Sequence, residues 1–162
     1  MKHTLSLLAE NSTQCLTRIT GLFTGKGFDI DTITVGRAED PDFLRITLVC
    51  HGDDKIIEQV TKQLNKLIEV IKVVDLTEMS YVHRELALIK VDANELVRSE
   101  IMQIVEVFRG KIIDISSKTL TVECTGSEDK IEAIISMLRP FGLKEVARTG
   151  RIALKREYQG EI

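Results

Sequence analysis

The chain repeats itself. The stretch Phe23-Thr24-Gly25-Lys26-Gly27-Phe28-Asp29-Ile30 returns as Phe108-Arg109-Gly110-Lys111-Ile112-Ile113-Asp114-Ile115, with five of eight positions identical. A second stretch, Cys50-His51-Gly52-Asp53-Asp54-Lys55-Ile56-Ile57-Glu58, returns as Cys124-Thr125-Gly126-Ser127-Glu128-Asp129-Lys130-Ile131-Glu132. The separation between copies shrinks from the first echo to the second. The second copy turns at Ser117-Lys118, where the first runs through Asp40-Pro41-Asp42. Repetition on this scale implies one supersecondary unit used twice.

The pattern around the echoes says which unit. In the first copy Leu5 and Leu7 alternate with polar residues, a strand signal. Asn11, Ser12 and Thr13 favour a turn and a helix N-cap. Leu16, Ile19, Leu22 and Phe23 then recur at helical spacing, and Gly25 and Gly27 are expected to stop that helix. Ile30 to Val35 is rich in β-branched residues, with Ile33 and Val35 on one face and Thr32 and Thr34 on the other. Leu44, Ile46, Leu48 and Cys50 alternate along the other arm of a hairpin. Gly52-Asp53 opens a helix striped by Ile56, Val60, Leu64 and Leu67, and Val70 to Leu76 forms a strand. The second copy reads as strand Glu85 to Val91, helix Glu95 to Phe108 and hairpin Ile112 to Cys124. A helix follows with Ile131, Ile134, Ile135 and Leu138 on one side, closed by Arg139-Pro140. A last strand falls within 145–155. The order is β-α-β-β-α-β twice. The expected fold is α+β, two tandem ferredoxin-like domains over 1–78 and 79–162. Domains this small leave sheet edges and faces in need of cover, which predicts a homo-oligomer.

Several function classes are disfavoured. The 162 residues carry a net charge of only −3, with 29% charged residues and no basic stripe, so nucleic acid is not an expected partner. No apolar run approaches the roughly 20 residues of a membrane span, and no signal-peptide pattern opens the chain, so a cytoplasmic protein is expected. Cys15, Cys50 and Cys124 lack metal-site spacing, as do His3, His51 and His83. Cys15 falls on the apolar side of its helix and reads as core. The acidic pairs Asp53-Asp54 and Glu128-Asp129 sit at helix starts, where the dipole favours them. No catalytic motif occurs. What remains is the loop Asn11 to Gln14, which feeds a helix N-terminus whose free N–H groups suit a carboxylate. A small amino acid would dock there, with Asn11 and Asp29 on its ammonium; otherwise Asn11 merely shapes the turn.

The N-terminal half resembles an ACT domain, through Leu5-Ser6-Leu7-Leu8, Glu10-Asn11, Gly21-Leu22-Phe23, Gly27-Phe28 and Thr34-Val35. Further runs cover nearly the whole chain: Gly52-Asp53-Asp54, Ile57-Glu58-Gln59, Lys62-Gln63-Leu64-Asn65-Lys66-Leu67, Val82-His83-Arg84-Glu85-Leu86, Phe108 to Asp114, and Ala147-Arg148-Thr149-Gly150. With these it is similar to the small regulatory subunits of acetolactate synthase. The resemblance implies a non-catalytic chain that activates a large catalytic subunit and confers feedback inhibition by a branched-chain amino acid, usually valine. It implies no cofactor here; thiamine diphosphate, magnesium and FAD would belong to the large subunit. It also implies a homodimer of ACT domains, the effector lying between the first loop of one chain and the second strand of the other. Asn11, Gln14, Cys15, Leu16, Asp29, Ile30 and Gly36 are then the effector residues. The family usually has glycine at Gln14, a small residue at Cys15, asparagine at Asp29 and often alanine at Gly36, so weak valine binding is expected. A free-standing ACT-type sensor of another enzyme or of transcription is the main rival. An acylphosphatase-like hydrolase is the other, with Asn11 and Arg18 a poor imitation of its site.

Overall fold

The computed structural model describes residues 1–157. Its elements are β1 (Lys2–Glu10), α1 (Thr13–Lys26), β2 (Ile30–Arg37), β3 (Phe43–His51), α2 (Asp54–Leu64), β4 (Val70–Asp75) and β5 (Tyr81–Asp92). These are followed by α3 (Arg98–Val107), β6 (Lys111–Ile115), β7 (Thr119–Gly126), α4 (Glu128–Leu138), a 3-10 turn (Arg139–Phe141), β8 (Leu143–Arg148) and β9 (Ile152–Lys155). Two βαββαβ units are present, as the repeat predicts. The described residues pack as two compact units, one of Met1–Val82 with 151–157 and one of His83–Gly150. The division falls inside β5.

In the first unit the strands lie in the order β2-β3-β1-β4, and each neighbouring pair is antiparallel. Leu5, Leu7 and Ala9 of β1 and Ile46, Leu48 and Cys50 of β3 face Cys15, Ile19 and Phe23 of α1 and Ile57, Val60 and Leu64 of α2 in one core. Period 2 in the strands meets period 3.6 in the helices, which is how the pattern finds a single apolar layer. A bulge leaves Asp31 unpaired between Ile30, opposite Cys50, and Thr32, opposite Val49. Ile30 and Ile33, three apart, therefore both reach the core; Val35 follows on the face of Ile33, 38% exposed. The Asp31 carboxylate is held by Lys2 Nζ at 3.1 Å and His51 Nε2 at 2.9 Å. Partial burial opposes its ionisation, but these hydrogen bonds and charges win and hold it below the usual carboxylate range.

The second unit repeats the order as β6-β7-β5-β8; β9, in the segment assigned to the first unit, also pairs with β5. Its core joins Ala87, Ile89 and Val91 to Ile101, Val105, Ile131, Ile134 and Leu138. Two expected boundaries move. The α3 helix begins at Arg98 and not at Glu95, because the Asn94 side chain accepts from the N–H groups of Leu96 and Val97 and holds a turn there. The expected last strand is two strands, broken at Gly150 with φ +78°. Past that break the Arg151 guanidinium donates to Thr4 Oγ1 at 2.8 Å, inside the first unit.

The two echoes fare differently. The second is structural throughout. Asp53 and Ser127 are the N-caps, α2 and α4 have 11 residues each, and Ile57, Val60 and Leu64 match Ile131, Ile134 and Leu138 as buried positions. The first echo keeps the residues and loses the geometry. α1 continues to Lys26 and ends at left-handed Gly27, so Gly25 lies within the helix. α3 stops at Val107, before Phe108, leaving Gly110 outside it. No helix among the described residues is long and apolar enough to cross a membrane.

Candidate functional site

The loop between β1 and α1 is held by three hydrogen bonds, one local and two to the turn before β3. Ser12 is extended, and its Oγ accepts from the Cys15 N–H at 3.2 Å, capping the helix. The Asn11 N–H donates to the Asp42 carbonyl at 2.8 Å, and its side-chain amide donates to the Pro41 carbonyl at 2.9 Å. Asn11 thus ties this loop to the turn between β2 and β3. Its amide oxygen is left to accept from a donor such as an ammonium. Both sequence readings of Asn11, turn former and ligand holder, are compatible with this placement.

Beside the loop lies an open hollow of about 290 Å³ lined by Thr13, Gln14, Thr17 and Arg18. The start of α1 carries the positive end of its dipole, with no acidic residue in the first turn to compensate it and the Cys15 N–H already taken by Ser12. Arg18 Nη1 pairs with Glu69 Oε1 at 3.0 Å. Gln14 stands exposed at the rim, and Leu16 is half-buried against the core. The Cys15 side chain is buried in the core. Burial, with Glu69 and Glu10 adding to it, pushes its thiol up, so it is no nucleophile. Its share in the site is the position of the helix turn it anchors.

The remaining predicted residues lie elsewhere. Asp29 and Ile30 sit past the other end of α1, whose 14 residues span about 21 Å. Gly36 is at the far end of β2, opposite Arg45, and that end of the sheet is the one nearest Asn11. One protomer therefore gathers Asn11, Gln14, Leu16 and Gly36 toward one end and Asp29 and Ile30 toward the other. A Cβ at Gly36 would meet nothing within 4 Å, so no packing demand explains that glycine. Thr17 and Glu69 escaped the sequence reading, and Arg18 entered it only as a poor imitation of a hydrolase site; Arg18 and Glu69 are too far apart in the chain for any local pattern to join them. Among the described residues no group of three or more His, Cys, Asp or Glu forms a metal-holding cluster.

An antiparallel β2-β3-β1-β4 sheet backed by two helices, with a polar loop opening the first helix, defines an ACT-type regulatory domain, here in tandem with a second ferredoxin-like unit. Residues 5–72 match the AHAS small subunit-like ACT domain, and residues 84–157 match the family described as small subunit of acetolactate synthase. The chain belongs to the acetolactate synthase small-subunit family, the regulatory subunits of that enzyme. It is 50% identical to a probable acetolactate synthase small subunit of Archaeoglobus fulgidus, over 96% of this chain and 98% of that one. It is 48% identical to the acetolactate synthase small subunit of Aquifex aeolicus, over 96% of this chain and 82% of that one. The crystal structure of the small subunit from Thermotoga maritima superposes with a TM-score of 0.90 at 43% identity, covering 98% of this chain and 99% of that one.

Proposed function

We propose that this chain activates the thiamine-diphosphate-dependent large subunit of acetolactate synthase and carries its feedback control by a branched-chain amino acid. Residues 1–78 would bind the effector, and 79–162 would form the C-terminal domain of the subunit. Thiamine diphosphate, magnesium and FAD would stay with the large subunit.

One observation carries the effector site. β2 is an edge strand with its outer hydrogen-bonding groups unpaired within the sheet. Pairing two β2 edges antiparallel about a two-fold axis sets the Ile30 end of one chain beside the Gly36 end of the other. That brings Asp29 and Ile30 of one copy to the Asn11, Gln14, Leu16 and Gly36 end of its mate. The two groups that one protomer keeps apart then line one composite site. A zwitterionic ligand would place its carboxylate at the helix N-terminus and its ammonium on the Asn11 oxygen. The match over residues 84–157 favours this reading over a free-standing sensor, which has no need of that half. The test is co-purification with the large subunit of the same organism, assayed with and without valine, leucine and isoleucine. Failure to raise large-subunit turnover would contradict the proposal.

A further inference from the structure

The second unit has an open edge in the place where the first has β2. β6, Lys111-Ile112-Ile113-Asp114-Ile115, ends the sheet order β6-β7-β5-β8. Ile113 and Ile115 are 51% and 58% exposed on it. Native edge strands are commonly guarded by proline, charged side chains, short length, bulges or covering loops. β6 is short and bulged and carries one lysine and one aspartate, so what could pair with it is restricted to a strand that matches those charges.

The placement of those two charges is set by a bulge. Lys111 lies opposite Glu123, and Asp114 lies opposite Thr121, with Ile113 the extra residue between. Leu120, Val122 and Cys124 are buried on the helix side of β7, so Thr121 and Glu123 are on the outer face. Lys111 and Asp114 therefore share that outer face. In a regular strand residues three apart would point to opposite faces. Neither has an ion-pair partner among the described residues.

We infer that β6 pairs antiparallel with β6 of a second copy, about a two-fold axis between Ile112 and Ile113. That register sets Lys111 of each copy opposite Asp114 of the other, twice. It also lays Ile113 of each copy against Ile112 of the other. Parallel in-register pairing would instead oppose lysine to lysine and aspartate to aspartate, which is unfavourable. The second copy is thus the occupant to which the edge is complementary. Five residues bury far less than the roughly 1,200 Å² of a stable interface. The contact consequently links chains already held together, where effective concentrations are on the order of millimolar, and so rests on the homodimer proposed above.

The wild-type full chain tests this directly. A mixture of 14N- and 15N-labelled protein is coupled with a zero-length carbodiimide and digested. The expected product is an isopeptide between Lys111 and Asp114 with one light and one heavy partner. A second measurement uses full-length Lys111→Cys and Asp114→Cys under mild oxidation. The mixture of the two single variants, and the double variant, should give covalent dimer, while each single variant alone gives several-fold less. A chain that sediments as a dimer yet yields neither product overturns this inference and leaves the homodimer standing. Equal cross-linking by the single variants alone overturns the register and with it the inference. A wild type that sediments as a monomer overturns both.

Discussion

Cys50 shows how a buried group couples the fold to pH. It is 1% exposed on β3, and burial first, then the negative charges of Asp75 and Asp31, lift its thiol from 9.0 to about 11. The fold therefore favours the neutral thiol. Its contribution is complete below pH 9, where the unfolded thiol is also protonated, and is lost as pH rises to about 11. A shift of this size corresponds to about 3 kcal/mol. Urea unfolding from pH 8 to 11 should show this alkaline decline, and Cys50→Val should flatten it. Two further residues bear on the effector. Gln14 adds bulk at the hollow, and an ionised Asp29 can only accept hydrogen bonds. If Asp29 of the second copy faces the ligand carboxylate, Asp29→Asn with Gln14→Gly should tighten valine binding about tenfold, or about 1.4 kcal/mol, by calorimetry. Micromolar binding by the wild type, unchanged in the double variant, would show that these residues do not face the ligand. Gly36→Ala, with open space around its Cβ, should leave thermal stability intact while lowering affinity for leucine and isoleucine relative to valine.

At the scale of elements, the first echo offers a paired test. Gly25 lies in α1, and a Cβ there meets nothing within 4 Å. Gly25→Ala should stabilise by about 0.5–1 kcal/mol, the usual cost of helical glycine. A Cβ on Gly110 would lie 3.1 Å from the Glu123 carbonyl oxygen and 3.1 Å from Val105 Cγ1. Gly110→Ala should destabilise by about 1–3 kcal/mol, since backbone cannot yield as a side-chain tip does. Opposite signs by calorimetry from residues in matching places of the repeat would confirm that the echo outlived its geometry. The contrast also explains what was legible in the sequence. α2 and α4 were readable because their caps and stripes are local: Asp53 with Ile57, Val60 and Leu64, Ser127 with Ile131, Ile134 and Leu138. The start of α3 was not, because Asn94 competes with the helix through its side chain. The shared face of Ile33 and Val35 was legible from alternation, but the bulge that turns Ile30 to the same side was not, because it is a single unpaired residue, Asp31, with no signature in the pattern. In the site, Asn11 and Ser12 announced themselves by turn and cap chemistry. Thr17 and Arg18 did not, since the hollow they line exists only once α1 is placed and Arg18 is turned toward Glu69.

For the whole molecule, the β2 edge and the split effector residues lead to one expectation. The full chain should sediment as a dimer at micromolar concentration, and Val35→Pro, which removes a donor from the strand and is poorly tolerated away from protected edge positions, should shift it toward monomer. A wild type that stays monomeric at that concentration would exclude the composite site. Internal pairing fixes β2 on one side only, through Ile33 with Leu48 and Thr34 with Thr47.

The length of α1 has a consequence beyond architecture. It keeps Asn11 and Asp29 of one protomer at opposite ends of a rod about 21 Å long, so in the proposed arrangement neither chain owns a complete site. Ligand occupancy and subunit association are then thermodynamically linked, and each must strengthen the other. The effector acts as an adhesive between chains as well as a signal. Its half-saturation point should slide to higher concentration as the protein is diluted. A cell that lowers the abundance of this subunit would blunt its own feedback twice, once through fewer regulators and again through a weaker grip on the ligand.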